Sequence, residues 1–158
     1  ELAQDKNLLI HDSIDIQLGV NAIIPESYCY DSNQRLVFYK KMTQCSNEQE
    51  LEEVYQELVD LYGVAHEYVN NLLELNKLRI FSQKYGVIKI KADDNSLMIK
   101  FAANHKIDPD KLIKLISKHF ASGMSLSVEN EICYKQKFVT IDDKIQAVNY
   151  ILNALFML

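Results

Sequence analysis

The chain has 158 residues, 48% of them apolar and 25% charged, which are ordinary values for one globular domain able to bury a core without disulfides or metals. These values exclude wholesale disorder, collagen and a bare coiled coil, and no apolar run approaches the roughly 20 residues of a bilayer span. The N-terminus lacks the zones of a signal peptide, and Cys29, Cys45 and Cys133 are odd in number and widely separated. A cytoplasmic protein with no membrane partner and no disulfide framework is expected.

The net charge of -5 is unevenly distributed. Residues 42–76 contain eight acids and no Lys or Arg, whereas residues 77–158 carry 13 bases against eight acids, and residues 1–41 carry four against six. A strongly acidic central stretch thus precedes a basic C-terminal half, an asymmetry that bears on partners rather than on fold.

In chain order, residues 1–12 read as an arm or tether and 13–158 as a single domain. Ile14, Ile16 and Leu18 alternate as in a half-buried strand, and Pro25 and a polar turn at Asp31, Ser32 and Asn33 follow. The spacing predicts a helix over about 33–43 that exposes Arg35, Lys40 and Lys41 and buries Leu36, Tyr39 and Met42. Ser46 with Gln49 reads as a capping box for a second helix, with Leu51, Val54, Tyr55, Leu58 and Tyr62 on its apolar face and Gly63 as its stop. A third helix is expected over about 66–84. Beyond Gly86 the period falls to two, so Ile88 and Ile90, then Leu97, Ile99 and Phe101, form a hairpin around Asp93, Asp94 and Asn95. Asp108 and Pro109 open a helix with Leu112, Ile113, Ile116 and Phe120 inward, and Gly123 closes it. Strands at about 124–128 and 132–138 precede a last helix, capped by Thr140 and Asp143, that buries Ile141, Ile145, Val148, Leu152 and Leu155. The expected class is α+β: an N-terminal strand and three helices with a small, mainly antiparallel sheet in a β-β-α-β-β-α arrangement.

Few kinds of chemistry suit these residues. Gly19, Gly63, Gly86 and Gly123 are too far apart for a phosphate-cradling loop, so neither a P-loop nor a dinucleotide fingerprint is present. His66 and Glu67 begin a zinc-helix pattern, but Asn70 stands where the second histidine belongs. No catalytic, cofactor or metal residue is assigned, and Cys29, between Tyr28 and Tyr30, reads as packing rather than a nucleophile.

The acidic helix is the candidate site. Glu50, Glu53, Glu57 and Asp60 recur at spacings of three and four and form one stripe, either a solvated face or a docking surface for a basic partner. Lys111, Lys114 and Lys118 share another helix face, and Lys89, Lys91, Lys100, Lys135 and Lys137 suit the open side of the sheet. The alternative function is therefore an accessory nucleic-acid-binding module acting through this lysine-rich half. Stacking aromatics are sparse there, and Arg35 and Arg79 are the only arginines.

Several ordered segments carry a family resemblance: Ile23-Ile24-Pro25-Glu26-Ser27-Tyr28, Arg35-Leu36-Val37-Phe38-Tyr39-Lys40-Lys41, Glu50-Leu51 and Glu57-Leu58-Val59-Asp60-Leu61-Tyr62-Gly63. Asn71-Leu72-Leu73, Leu78-Arg79 and Tyr85-Gly86-Val87 continue it. From about Ile14 to Leu155 the chain resembles the C-terminal domain of bacterial transcription-repair coupling factor, an ATP-driven DNA translocase that removes stalled RNA polymerase and recruits nucleotide excision repair. The resemblance implies a non-enzymatic C-terminal fragment of a larger protein, without a cofactor of its own, whose motor motifs and contacts to RNA polymerase and DNA lie in other domains. It further implies that this domain docks on a UvrB-like module of the same protein and masks the surface that recruits UvrA. The partner interface implied is Glu53, Glu57, Asp60 and Leu61, with Glu57 and Asp60 against basic residues of that module. Two positions depart from the family pattern: Leu61 stands in place of the usual Arg, and Val64-Ala65-His66 in place of a segment with proline.

Overall fold

The computed structural model describes residues 14–157, so the arm expected at 1–12 lies outside the described residues. The chain divides into two compact units, a helical one, Val20–Phe81, and a sheet unit formed by the segments up to Gly19 and from Ser82 onward. The described elements are five helices and a five-stranded mixed sheet, the α+β class expected.

The helical unit contains α1 (Ser32–Gln44), α2 (Glu48–Tyr62) and all but the last turn of α3 (Glu67–Gln83). Its core gathers Ile24, Cys29, Phe38, Met42, Leu51, Leu58, Val69 and Leu73. Phe38, rather than Leu36, is the buried anchor of α1: Phe38 is 1% exposed and Leu36 45%. The two differ by about 200° around a helix of 3.6 residues per turn, so only one can face inward, and Phe38 is in phase with Met42. The cap of α2 also sits one residue later than expected. Asn47 Oδ1 accepts the Glu50 N–H at 2.8 Å, and Glu50 reaches back to accept the Ser46 N–H at 2.9 Å. Asn caps as well as Ser does, and the three-residue spacing from Asn47 places a glutamate where Ser46 would place Gln49. At its other end α2 stops at Gly63, whose φ of +91 a side chain would strain and whose N–H bonds Val59 O at 2.8 Å.

The corner between α1 and α2 is gripped from α3. Arg79 Nη2 donates to the carbonyls of Met42 at 3.1 Å and Cys45 at 3.2 Å, and Nε to Asn76 Oδ1 at 3.4 Å. These carbonyls stand at the end of α1, where intrahelical donors run out and Met42 O accepts the Cys45 N–H at 3.2 Å, so a cation there meets under-satisfied acceptors and the negative end of the helix dipole. Burial lowers the Arg79 pKa, and the carbonyls offset that desolvation. Arg35 plays a similar part, with Nη1 donating to Cys29 O and Tyr30 O, both at 2.9 Å.

The sheet has the order β1-β2-β3-β5-β4, with β1 (Asp15–Gln17), β2 (Val87–Ala92), β3 (Ser96–Phe101), β4 (Met124–Leu126) and β5 (Glu131–Lys135). Only the β1–β2 pair is parallel. Ile16, Ile90, Ile99, Ile132 and Leu126 follow one another across the register; Ile90, Ile99 and Ile132 are buried in the core, and Leu126 at the edge is 47% exposed. The helices of this unit are α4 (Pro109–His119) and α5 (Ile141–Phe156). In α4 the structure buries Leu115 and leaves Ile113 63% and Phe120 68% exposed, contrary to expectation. The inward stripe is Leu112, Leu115 and Ile116, and Phe120 falls in the 3₁₀ turn Phe120–Ser122, where the change of pitch turns it outward. Gly123 follows at φ +104, and a Cβ there would lie 2.9 Å from Lys135 Cβ. In α5, Lys144 is buried among the apolar positions at 4% exposure; its Nζ donates to Leu18 O at 2.6 Å and lies 3.6 Å from the Asp94 carboxylate.

Replacing Arg79 with Ala should lower unfolding free energy by about 2–4 kcal/mol, since two end-of-helix carbonyls lose a charged donor. Lys at that position should recover less than half, because one ammonium cannot reproduce the fork; equal stability of the Lys variant and the natural chain in urea denaturation would contradict this account. A second test uses Asp143, whose carboxylate accepts the Thr140 and Val139 N–H groups, both at 3.0 Å, bonds that hold its pKa below the ordinary aspartate value. A depressed carboxylate adds stability above its unfolded pKa of about 3.9 and loses it as pH falls through the folded value. The Asp143→Asn variant should therefore be less stable than the natural chain at pH 7, and the gap should close below about pH 3.9.

Candidate functional site

Helix α2 places Leu51 and Leu58 in the core, fully buried. The opposite face carries Glu53, Gln56, Glu57 and Asp60, all exposed. Leu61, 61% exposed, and Val64, 93% exposed, continue that surface past the end of the acidic stripe. The four implied interface residues, Glu53, Glu57, Asp60 and Leu61, thus share one accessible region of α2.

The acidic stretch is less bare than its sequence suggests. Lys41, the last base before it, pairs with Glu57 through Nζ contacts of 2.9 Å to Oε1 and 3.1 Å to Oε2. The same ammonium lies 5.4 Å from the centre of the Phe38 ring, so its position is fixed from two sides. Lys77, the first base after the stretch, lies 2.8 Å from Glu52, 3.6 Å from Glu74 and 3.7 Å from Glu48. The hydrogen bond to Glu52 is the main cause of a raised Lys77 pKa. Glu50 is committed to the cap, and Asp60 accepts a hydrogen bond from Gln56 Nε2 at 2.9 Å. Among the described residues, no Lys, Arg or His lies within ion-pair distance of Glu53 or Asp60. The surface that remains is two unneutralised carboxylates, one carboxylate shared with Lys41, and two apolar side chains beside them.

Sequence reasoning named the four residues and missed the lysines that return to the acidic stretch, Lys41 at Glu57 and Lys77 at Glu48, Glu52 and Glu74. The signal was the position of Lys41 and Lys77 at the two borders of the base-free run. In helices joined by short turns, such borders fold back alongside the run.

Two lysines of the sheet, Lys89 and Lys100, are flanked by acids. On the face away from the core, Asp15, Lys89, Lys100 and Glu131 lie in one row of the register. Lys89 is 3.9 Å from Asp15, and Lys100 is 3.8 Å from both Glu129 and Glu131. Lys111 donates to Met157 O at 2.8 Å, and both arginines of the chain serve backbone carbonyls. Among the described residues no three His, Cys, Asp or Glu are grouped to hold a metal ion. Cys29 and Cys45 are buried, and burial raises the thiol pKa of Cys45 and Cys133, which disfavours thiolate at neutral pH. No helix of the described residues is long and apolar enough to cross a membrane.

Comparison with known proteins places this arrangement in context. A family model described as the TRCF domain matches residues 18–112. The chain is 36% identical over 110 residues to the transcription-repair-coupling factor of Haemophilus influenzae, a match covering 70% of this chain and 10% of that protein. It is 32% identical over 110 residues to the transcription-repair-coupling factor of Escherichia coli, with the same two shares. The chain therefore spans about a tenth of the length of these curated relatives. A crystal structure of the C-terminal domain of transcription-repair coupling factor superposes with a TM-score of 0.69 at 18% identity, covering 90% of this chain and 91% of that one. At that identity the likeness carries the fold, and it extends over the strands and helix beyond residue 112.

The Lys41–Glu57 pair is accessible to solvent, with side chains 41% and 47% exposed. A double-mutant cycle with Lys41→Met and Glu57→Gln should give a coupling of only about 0.2–1 kcal/mol, reduced further in 0.5 M salt. A coupling several times larger would mean that the pair is a structural tie rather than a surface contact open to exchange.

Proposed function

Because the chain belongs to the TRCF domain family, whose matched relatives are transcription-repair-coupling factors, we propose that it is an autoinhibitory docking domain within such a factor. In this reading the domain has no catalytic step of its own. It docks through the α2 face on the UvrB-like module of the same protein and masks the surface that UvrA would bind. The protein as a whole is then an ATP-dependent DNA translocase that displaces stalled RNA polymerase, with RNA polymerase and DNA engaged by its other domains.

The observation that supports this reading is the exposed set Glu53, Glu57, Asp60 and Leu61 on one face of a helix anchored behind by buried Leu51 and Leu58. Charge on an accessible, rigid face gives orientation and discriminates against wrong partners, while adding modest affinity. That balance fits a reversible lock. A domain tethered in the same chain needs only a few kcal/mol of preference for the docked state to hide a site in most molecules, and a competing state of the motor can reverse it.

The local geometry also refines what the partner must offer. Glu57 is already engaged by Lys41, so a basic group of the partner must share that carboxylate or displace the lysine. Asp60 carries no such internal cation among the described residues and is the stronger candidate for a direct ion pair. Where the family pattern has an Arg, Leu61 offers an apolar side chain, and Val64 adds to it. A partner surface with a cation flanked by an apolar patch complements this better than one carrying acceptors for a guanidinium.

In the whole protein, Glu57→Lys combined with Asp60→Lys should raise UvrA affinity by about tenfold or more, since a tenfold change corresponds to a loss of only about 1.4 kcal/mol of docking. Both residues are exposed, so circular dichroism should be unchanged. Unaltered UvrA binding with the fold intact would remove this face as the lock.

A further inference from the structure

We infer that an open cavity in the sheet unit, lined by Lys84, His105, Lys106 and Asn104, binds a phosphate monoester. The cavity encloses about 370 Å³. Small-molecule sites start at about 300 Å³, so it can take a ligand of mononucleotide size rather than a bare ion.

The chemistry of the walls points to an anion. Lys84 follows α3, and Asn104, His105 and Lys106 lie in the turn after β3, so two separate segments bring donors to one concavity. No Asp or Glu is among its lining residues. Lys84 and Lys106 differ here from Lys41, Lys77, Lys89, Lys100 and Lys144. Each of those five has a carboxylate within ion-pair distance; among the described residues, Lys84 and Lys106, like Lys91, Lys114, Lys118, Lys135 and Lys137, have none, but only these two line the cavity. His105 Nδ1 accepts the Ile107 N–H at 3.3 Å, which places the proton of the neutral ring on Nε2 and makes that nitrogen a donor. Two ammonium groups, an imidazole N–H and an amide N–H₂ match the several acceptor oxygens and double charge of a phosphate monoester.

The walls are also held in place. Ala102 N–H donates to Gly86 O at 2.8 Å and His105 N–H to Ala102 O at 3.1 Å, tying the turn after β3 to the segment that carries Lys84. The Phe101 ring meets the His105 ring near edge-on at 6.3 Å and 70°. Tyr85 stacks on Phe156 with centroids 4.6 Å apart and 20° between planes, giving the cavity an aromatic side. Such a flat apolar side next to a cationic rim suits a phosphate attached to a planar base.

This site is independent of α2, so its failure would leave the docking reading untouched. The test is titration of the 158-residue chain with inorganic phosphate, AMP and a 5′-phosphorylated oligonucleotide, followed by NMR of the His105 ring and the 104–106 amides. Saturable shifts are expected with all three. Lys84→Glu and Lys106→Glu should each weaken binding at least about tenfold. Tighter binding of AMP than of phosphate identifies a free nucleotide as the source of the group, and tighter binding of the oligonucleotide than of AMP identifies a nucleic-acid end. Because both lysines are exposed, the variants should stay folded, which the amide spectrum itself reports. Absence of saturable shifts at about 10 mM ligand, or binding indifferent to both charge reversals, would overturn the inference.

Discussion

The hold of Arg79 on the carbonyls of Met42 and Cys45 is the constraint on which the helical unit depends. It fixes the corner at which α1 ends, and α2 starts only a few residues later under the cap of Asn47 and Glu50. With that corner set, Lys41 on α1 comes to stand beside Glu57 on α2, and Phe38 supports the lysine from below. The acidic face is therefore a preorganised surface rather than a loose run of carboxylates. Preorganisation matters because side chains already held in place lose little entropy when a partner arrives. Arg35, holding Cys29 and Tyr30, secures the entry to α1 in the same way.

The charge asymmetry of the chain takes a different meaning once folded. Eight acids in a base-free stretch would repel one another on an isolated helix. In the folded unit the bordering lysines return to the stretch, and Lys77 alone approaches three glutamates. The residual negative character concentrates at Glu53 and Asp60, close to exposed Leu61. The basic half is likewise partly offset, because Asp15 and Glu131 flank the adjacent Lys89 and Lys100 across one row of the register. What remains there is spread: among the described residues, Lys84 and Lys106 at a cavity rim and Lys91, Lys114, Lys118, Lys135 and Lys137 elsewhere have no carboxylate within ion-pair distance.

Much of this was legible in the sequence because the responsible signals are local. The stop at Gly63, the Asp108–Pro109 start and the Thr140–Asp143 box each act within four residues, and each appears where it was expected. The hairpin after Gly86 also forms, but a register shift between Val87 and Lys89 breaks the expected alternation and leaves Ile88 44% exposed while Val87 and Ile90 are buried. Apart from the α2 cap, shifted by one residue to Asn47, the other misplacements occurred where neighbours decide. Whether Leu36 or Phe38 faces the core of α1, and whether Ile113 or Leu115 does so in α4, depends on the phase set by packing partners distant in sequence. Burial of Lys144 was not foreseen either, since its acceptor, Leu18 O, lies 126 residues away and pattern alone treats lysine as exposed. Of the candidate face, the identity of the four side chains could be read from the family motif, but the pairing of Glu57 with Lys41, like that of Lys77 with Glu48, Glu52 and Glu74 elsewhere on the acidic stretch, is a tertiary fact.

The central claim is that the α2 face is covered in the resting whole protein. Carbodiimide labelling of carboxylates, read by mass spectrometry, tests it most directly. The account predicts that Glu53, Glu57 and Asp60 label more slowly in the whole protein than in this chain alone, and that the difference disappears when the motor engages RNA polymerase. Equal labelling of these three carboxylates in the isolated chain and in the resting whole protein would contradict it.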